Sequence, residues 1–352
     1  MSVAKPVAPA ASRLPCPPDG IDEFLSRPSH EAAAVLTRTS GPVLILGAGG
    51  KLGLHLSVMA HRALAAVGRR DAVVAVSRFK TLHDRAAFDR HGISTLAADL
   101  SDPAALAALP DAPTIFFLAG VKFGTAAAPE LLQRLNVEMP RLVAQRFYKS
   151  RIVAFSSGCV YPFVPADSGG ATEQTPPAPV GDYAASCLAR ELAFAEVSRA
   201  QGTRVALLRL NYAVEFRYGL LVDIAQKVFS GQPVDVTTGH VNVIFQRDAL
   251  DHTIRSLELA ASPAAPINIT GAETLSVRAV AHRLGEIMGR PVAIVGREAD
   301  TAWLNNASCS HRHFGRPPTR VDDMLVWIAE WLRLGGASWG KPTGFEQRDG
   351  QF

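Results

Sequence analysis

From residue 43 to residue 210 the chain alternates two patterns. Short runs that are apolar at nearly every position, 43–46, 72–76, 93–97, 114–118, 152–155 and 205–210, are separated by longer stretches of helical character, 52–67, 103–108, 129–148 and 183–201. An apolar run bounded by turn residues suits a strand buried on both faces, and such strands alternating with helices predict an α/β fold with a doubly wound parallel sheet. Beyond Leu210 the rhythm changes. Residues 224–229 read as helical, 234–245 as extended and 277–288 as an amphipathic helix, which predicts a smaller, discontinuous C-terminal lobe. Ahead of the first run, 21–39 is a short amphipathic segment expected to pack outside the sheet domain in a structural role. Trp327 and Trp331 stand one helical turn apart with Ile328 and Leu332 beside them, the stripe of a packed helix. No internal repeat is found.

The first run ends in chemistry. Val43-Leu44-Ile45-Leu46 stops at Gly47-Ala48-Gly49-Gly50-Lys51-Leu52-Gly53 and passes directly into a helical stretch. Strand, glycine turn and helix together predict a Rossmann dinucleotide site, with Gly47 making the tight turn, Gly50 letting backbone approach a pyrophosphate and Gly53 allowing helix to pack on strand. Lys51 and Leu52 complete the turn, and the helix N-terminus faces the anion. The spacing alone would also suit an ordinary βα turn. The second strand ends in Ser77-Arg78, where an acidic residue would bind the adenosine ribose; a neutral residue followed by arginine leaves room for a 2′-phosphate, so NADP is favoured and NAD remains possible. Asp99, followed by Leu100, closes the third strand with a carboxylate suited to the adenine amino group, and Asp102 before Pro103 suits a helix cap. The expected layout is a leader with a short helix over 1–40, a Rossmann domain over 41–210, a substrate-binding lobe over 211–340 with a return segment near 240–262, and a tail over 341–352.

Composition narrows the class. With 352 residues, 48% of them hydrophobic, the chain can build a sizeable core and two domains. No apolar stretch approaches the ~20 residues that span a bilayer, and residues 1–20 are rich in Ala and Pro without an apolar signal region, so a disordered leader is expected and no membrane partner. Cys16, Cys159, Cys187 and Cys309 form neither a CxxC pair nor a disulfide framework, which suits a reducing, cytoplasmic setting. A net charge of +4 is mild and scattered; it suits phosphate-bearing small ligands and not a nucleic-acid surface. Cys309-Ser310-His311-Arg312-His313 places its candidate ligands at alternate positions, which do not converge on one ion from a helix, so no metal is expected.

After the 152–155 run come Ser156-Ser157-Gly158-Cys159-Val160-Tyr161-Pro162, then Tyr183-Ala184-Ala185-Ser186-Cys187-Leu188-Ala189-Arg190-Glu191. With Gly47, Gly50 and Gly53 in G-x-x-G-x-x-G spacing, the chain resembles the extended short-chain dehydrogenase/reductase family, the NAD(P)-dependent sugar epimerases and dehydratases, from Pro42 to about Leu334. The resemblance implies that Ser157 orients the substrate oxygen and that Tyr183 transfers the proton while hydride moves. It implies that Leu118, Ala119, Gly120, Lys122, Asn136 and Leu210 meet the dinucleotide and that Cys159 and Asn211 lie toward the substrate, a sugar or nucleotide sugar. Asp248 falls near a family carboxylate that ties the lobe to the sheet. A homodimer through 129–148 and 183–201 is also implied. Arg209 and Arg217 flank Asn211 and could reach a substrate anion, although paired arginines at a strand end commonly form surface ion pairs. One position departs from the pattern. The family lysine four residues after the tyrosine, which holds the nicotinamide ribose and lowers the tyrosine pKa, is Cys187 here. A free tyrosine titrates near ~10, so half-ionisation at neutral pH needs roughly 4 kcal/mol from some other group. Without such a group, the alternative is a weakened relative that binds NADP as a sensor or scaffold.

Overall fold

Val43–Leu46 (β1) is apolar at every position because both its faces are covered. Val43 and Ile45 pack with Leu56 and Met59 on one side of the sheet, whereas Leu44 and Leu46 pack with Val143, Phe147 and Phe194 on the other. The computed structural model describes residues 13–80, 82–122 and 129–350. The sheet adds Val73–Ser77 (β2), Ser94–Ala97 (β3), Thr114–Phe117 (β4), Arg151–Ser157 (β5), Val205–Leu210 (β6) and Ala265–Ile269 (β7). All neighbours run parallel, in the order β7-β6-β5-β4-β1-β2-β3. The fold is therefore a doubly wound Rossmann-like α/β sheet. Strand order reverses between β1 and β4, and the crevice outside the carboxyl ends of strands at such a switch point is where ligands bind.

The helices that frame this crevice are Gly53–Ala65, directly after the glycine turn, and Asp182–Gln201, which starts after Gly181 and ends at a left-handed Gly202. The single helix expected over 129–148 is interrupted. Pro129–Leu132 and Met139–Arg146 are joined by a π-helical turn, Gln133–Glu138. Pro140 has no N–H to give to the carbonyl of residue 136, which favours a break in the regular ladder there. The returning strand, β7, lies past the 240–262 segment; that stretch contains Gln246–Arg255, a helix whose Ala249, Leu250 and Ile254 pack under the sheet.

The second core gathers Leu220–Ser230, Val277–Met288 and Val321–Arg333. The expected extended stretch 234–245 is split into three two-residue strands with separate partners: Val234–Asp235 with Ile294–Val295, His240–Val241 with Leu275–Ser276, and Ile244–Phe245 with Ala213–Val214. Trp327 lies among Phe24, Phe216 and Phe245, and Trp331 packs at the same core. The amphipathic segment near the N-terminus is two helices separated by Pro28. Ile21–Leu25 puts Ile21, Phe24 and Leu25 into the second core, whereas His30–Thr37, capped by Ser29, puts Ala32, Val35 and Leu36 into the first. The segment thus clamps two cores together instead of covering one. Part of the expected leader, residues 1–12, lies outside the described residues; Leu14 and Cys16 are packed against the second core. Residues 341–350 are likewise tied down, with Phe345 buried and the Thr343 N–H and hydroxyl both donating to Asp223 Oδ2 at 2.7 and 2.6 Å.

Candidate active site

A cleft of about 560 Å³ opens at the switch point. At its floor Gly47 takes a φ of +86°, and a Cβ there would stand 2.5 Å from the Ala119 nitrogen; a Cβ on Gly53 would run into the backbone of Ala48. A Cβ on Gly50 would meet nothing closer than its own turn, the Gly47 carbonyl at 3.5 Å, so this glycine leaves open space toward the cleft. Open backbone at a helix N-terminus has the shape and the partial positive charge that suit an anionic group. Lys51, Leu52, Leu118, Ala119 and Gly120 continue the wall, and Arg78, Asp99 and Leu100 form its outer end. Arg78 Nη1 is 3.7 Å from Asp99 Oδ2, both side chains substantially exposed, and Asp99 Oδ1 accepts from the Ser101 N–H and hydroxyl at 3.0 and 2.7 Å. Those bonds from Ser101 are the first reason that the Asp99 carboxyl titrates below its usual range.

At the inner end lie Ser157, Cys159, Lys122, Tyr183, Leu210 and Asn211. Ser157 is the last residue of β5, and its hydroxyl accepts from Cys159 N–H at 3.4 Å and from the Cys159 thiol at 3.0 Å. Tyr183 sits in the first turn of the Asp182–Gln201 helix. Asn136 was expected beside the cofactor, but it does not face the cleft. It is fully buried; Oδ1 accepts from Val121 N at 2.8 Å, and Nδ2 donates to Val121 O at 2.8 Å and to Ser186 Oγ at 2.9 Å. Its amide fastens the segment after β4 to the tyrosine helix. Asn211 is also largely committed, donating to Asn242 Oδ1 at 2.8 Å and reaching Trp303 O at 3.4 Å. Asp248 Oδ2 accepts from Thr319 N at 2.9 Å, joining the Gln246–Arg255 helix to a loop ahead of the last helix.

The charges around the tyrosine are unusual. Cys187 is fully buried, beside Cys159 and Tyr183. The interaction with Cys159 is the main influence holding the Cys187 thiol below its ordinary pKa, assisted by Arg190, and that interaction and burial push Cys159 up. Burial first, then the two neighbouring sulfurs, push Tyr183 well above its ordinary value, while Arg190 pulls it the other way. Lys122 Nζ stands 5.7 Å from the Tyr183 ring centre and donates to Thr343 O at 3.2 Å. Burial lowers its pKa. Lys51 Nζ stacks on Tyr218, 3.1 Å from the ring centre, and is brought down to about 7 by burial and by the nearby charges of Lys122 and Lys341.

Behind the wall, Arg209 and Arg217 do not reach toward ligand. Arg209 is bound to Glu191 and Tyr161; Arg217 is bound to Asp22 and Glu215. Both are ion pairs in or near the interior instead of on the surface. His311, from the candidate metal cluster, bonds the Thr270 carbonyl at 3.0 Å. Cleft residues that sequence reasoning missed include Arg190, Tyr218, Trp303, Lys341 and Thr343. Arg190 alone carried a signal, since it falls on the helical face of Tyr183 and Cys187; the others come from loops without a motif.

The fold is Rossmann-type, with a cleft at the carboxyl ends of its strands. The model of the family described as NAD dependent epimerase/dehydratase family matches residues 43–214. Among solved structures, UDP-glucose 4-epimerase of Thermus thermophilus in complex with NAD aligns at 19% identity with a TM-score of 0.68, over 83% of this chain and 99% of that one. UDP-glucuronic acid 4-epimerase of Bacillus cereus in complex with NAD aligns at 17% identity and 0.69, over 83% and 99%. MoeE5 in complex with UDP-glucose and NAD aligns at 22% identity and 0.66, over 84% and 99%. Comparison with curated protein sequences finds no match. Among the described residues no helix is long and apolar enough to cross a membrane.

Proposed function

We propose that the protein is an NAD(P)-dependent enzyme that acts by hydride transfer on a sugar or sugar-nucleotide hydroxyl or ketone, as an epimerase, dehydratase or reductase. The observation that carries this reading is one continuous cleft with the open glycine turn at one end and Ser157, Cys159 and Tyr183 at the other. When bound, the nicotinamide supplies a reversible hydride acceptor. Gly47, Gly50 and Gly53 leave room for its pyrophosphate, Asp99 suits the adenine, and Leu118, Ala119, Gly120 and Leu210 flank the rest. Arg78 beside Ser77 favours the 2′-phosphate of NADP, whereas the solved relatives were captured with NAD.

Ser157 orients the substrate oxygen, and Tyr183 exchanges its proton with it. A tyrosine pushed above its ordinary pKa is protonated near neutral pH, so the form able to donate to a ketone is the populated one, and the tyrosinate needed for proton abstraction becomes populated only toward alkaline pH. Lys122, adjacent to the Tyr183 ring, faces the same end. In the same reading the chain is a cytoplasmic homodimer joined through the Met139–Arg146 and Asp182–Gln201 helices, the latter carrying Leu192 at 57% exposure. A second reading, a dinucleotide-binding sensor or scaffold without turnover, rests on Cys187 in place of the lysine.

The test is incubation with NAD or NADP and a panel of nucleotide sugars, sugar acids and free sugars, followed by chromatography of products. A substrate converted to its epimer, dehydrated product or alcohol supports the enzyme. Dinucleotide binding with no conversion across the panel supports the sensor.

A further inference from the structure

Tyr183, Cys187 and Arg190 follow one another along a single face of the Asp182–Gln201 helix, at the spacing that stacks side chains on adjacent turns. Cys187 brings no cation to that face. Arg190 does, and a guanidinium does not lose its charge in a protein. Its environment is strange for a merely structural arginine. It is only 6% exposed and lines the cleft; Nη1 donates to the Phe155 carbonyl at 3.1 Å, yet Nε has no hydrogen-bond partner among the described residues. The adjacent carboxylate, Glu191, is taken by Arg209, and no described ion pair includes Arg190. A buried guanidinium left so incompletely matched is costly unless a ligand completes it.

The opposite wall is shaped to admit it. A Cβ on Gly120 would collide with Arg190 Nη2, and it would also stand 3.0 Å from Asn136 Oδ1. Gly120 therefore leaves the guanidinium room in the segment after β4, between the glycine turn and Tyr183. With its pyrophosphate at the helix N-terminus and its reacting ring at Tyr183, a dinucleotide would bring the neutral oxygens of the sugar next to that ring to Arg190.

We propose that Arg190 is a positioning residue, donating hydrogen bonds to the hydroxyls of the ribose that carries the nicotinamide and setting a fixed positive charge beside Tyr183. It rests on the hydride-transfer reading above. The cation is supplied from position 190, and Gly120 is the second half of the arrangement.

The experiment titrates the full chain with NADP, NAD and ADP, the last lacking the nicotinamide ribose. Arg190→Met weakens both dinucleotides about tenfold or more and leaves ADP within about twofold. Arg190→Lys recovers part of the loss, and adding Cys187→Lys to Arg190→Met returns the cation one turn earlier and recovers it too. Arg190→Gln, which keeps a polar side chain of shorter reach and no charge, repeats the selective loss. Equal weakening of ADP and dinucleotides in Arg190→Gln, or no loss in either variant, overturns the proposal while dinucleotide binding by the native chain keeps the functional reading intact. A native chain that binds neither dinucleotide overturns the reading and the proposal with it.

Discussion

Arg209 holds Glu191 with two hydrogen bonds, Nε to Oε1 at 2.9 Å and Nη2 to Oε2 at 2.7 Å, and both side chains are at least nine-tenths buried. The pair lies behind the active cleft. Glu191 Oε1 also accepts from Ser156 Oγ at 2.6 Å, and Arg209 Nη1 donates to the Tyr161 hydroxyl at 2.7 Å, which passes a bond to Asn268 at 2.9 Å. One ion pair therefore locks the tyrosine helix, the end of β5 and the returning β7 to one another. Removing one partner of such a buried pair costs about 3–5 kcal/mol, because the other charge stays buried without a match. Glu191→Ala is expected to lose that much in urea unfolding, and Arg209→Met/Glu191→Leu to recover most of it.

On the proposed function, Arg78 is expected to decide between NADP and NAD. Its side chain is substantially exposed and its contact with Asp99 is 3.7 Å, so its hydrogen bond to a 2′-phosphate is worth the low end of a charge-assisted bond, about 1.5 kcal/mol or roughly tenfold. Titration calorimetry should find NADP bound more tightly than NAD, and Arg78→Ala should erase the difference. Equal affinities in the native chain would remove the case for NADP.

On the proposed function, Lys51 is expected to make dinucleotide binding proton-linked. Its pKa falls from an ordinary 10.5 to about 7 in the fold, chiefly by burial, then by Lys122 and Lys341, against the smaller opposing pull of Asp223 and Glu215. The unfolded chain binds the extra proton between those limits, so this lysine makes the free protein more stable as pH rises through the window and less stable as it falls. A bound diphosphate favours the charged amine. Calorimetry at pH near ~8 in two buffers of different ionisation enthalpy should therefore register proton uptake on binding, lost in Lys51→Met. Binding without proton uptake would place the phosphates away from Lys51.

If Tyr183 carries the proton, Cys187 is expected to set the pH dependence of the chemistry. Burial first, then the neighbouring Cys187 and Cys159 sulfurs, favour the protonated form of Tyr183. Rates of substrate oxidation should climb toward alkaline pH, and Cys187→Lys should shift that rise to lower pH. A native profile flat through neutral pH and unmoved by Cys187→Lys would assign the tuning of Tyr183 elsewhere.

The sheet was legible because its strands are buried on two sides, and runs such as Val43–Leu46 show this at every residue. The glycine turn was legible because steric demands at Gly47 and Gly53 leave few alternatives. The break at Gln133–Glu138 was less so: Pro140 hints at it, but the demand for the Asn136 amide at Val121 exists only in three dimensions. The order of residues 13–20 depends on a core built mainly from residues far later in the chain. Lys341 and Thr343 reach the cleft through tertiary contacts of the chain end with Asp223, which no local pattern encodes. Arg190 was visible as a helix residue, whereas its place against Gly120 was not.

Hydride transfer with Tyr183 as the proton carrier is tested most directly by rapid mixing of protein, NADP and a converted substrate, watching nicotinamide absorbance within a single turnover. The native chain should change absorbance on mixing. Tyr183→Phe should bind the dinucleotide with nearly native affinity and show no absorbance change, since the ring still packs but no proton can move. Tyr183→Phe that turns over at most of the native rate would contradict the assignment of Tyr183.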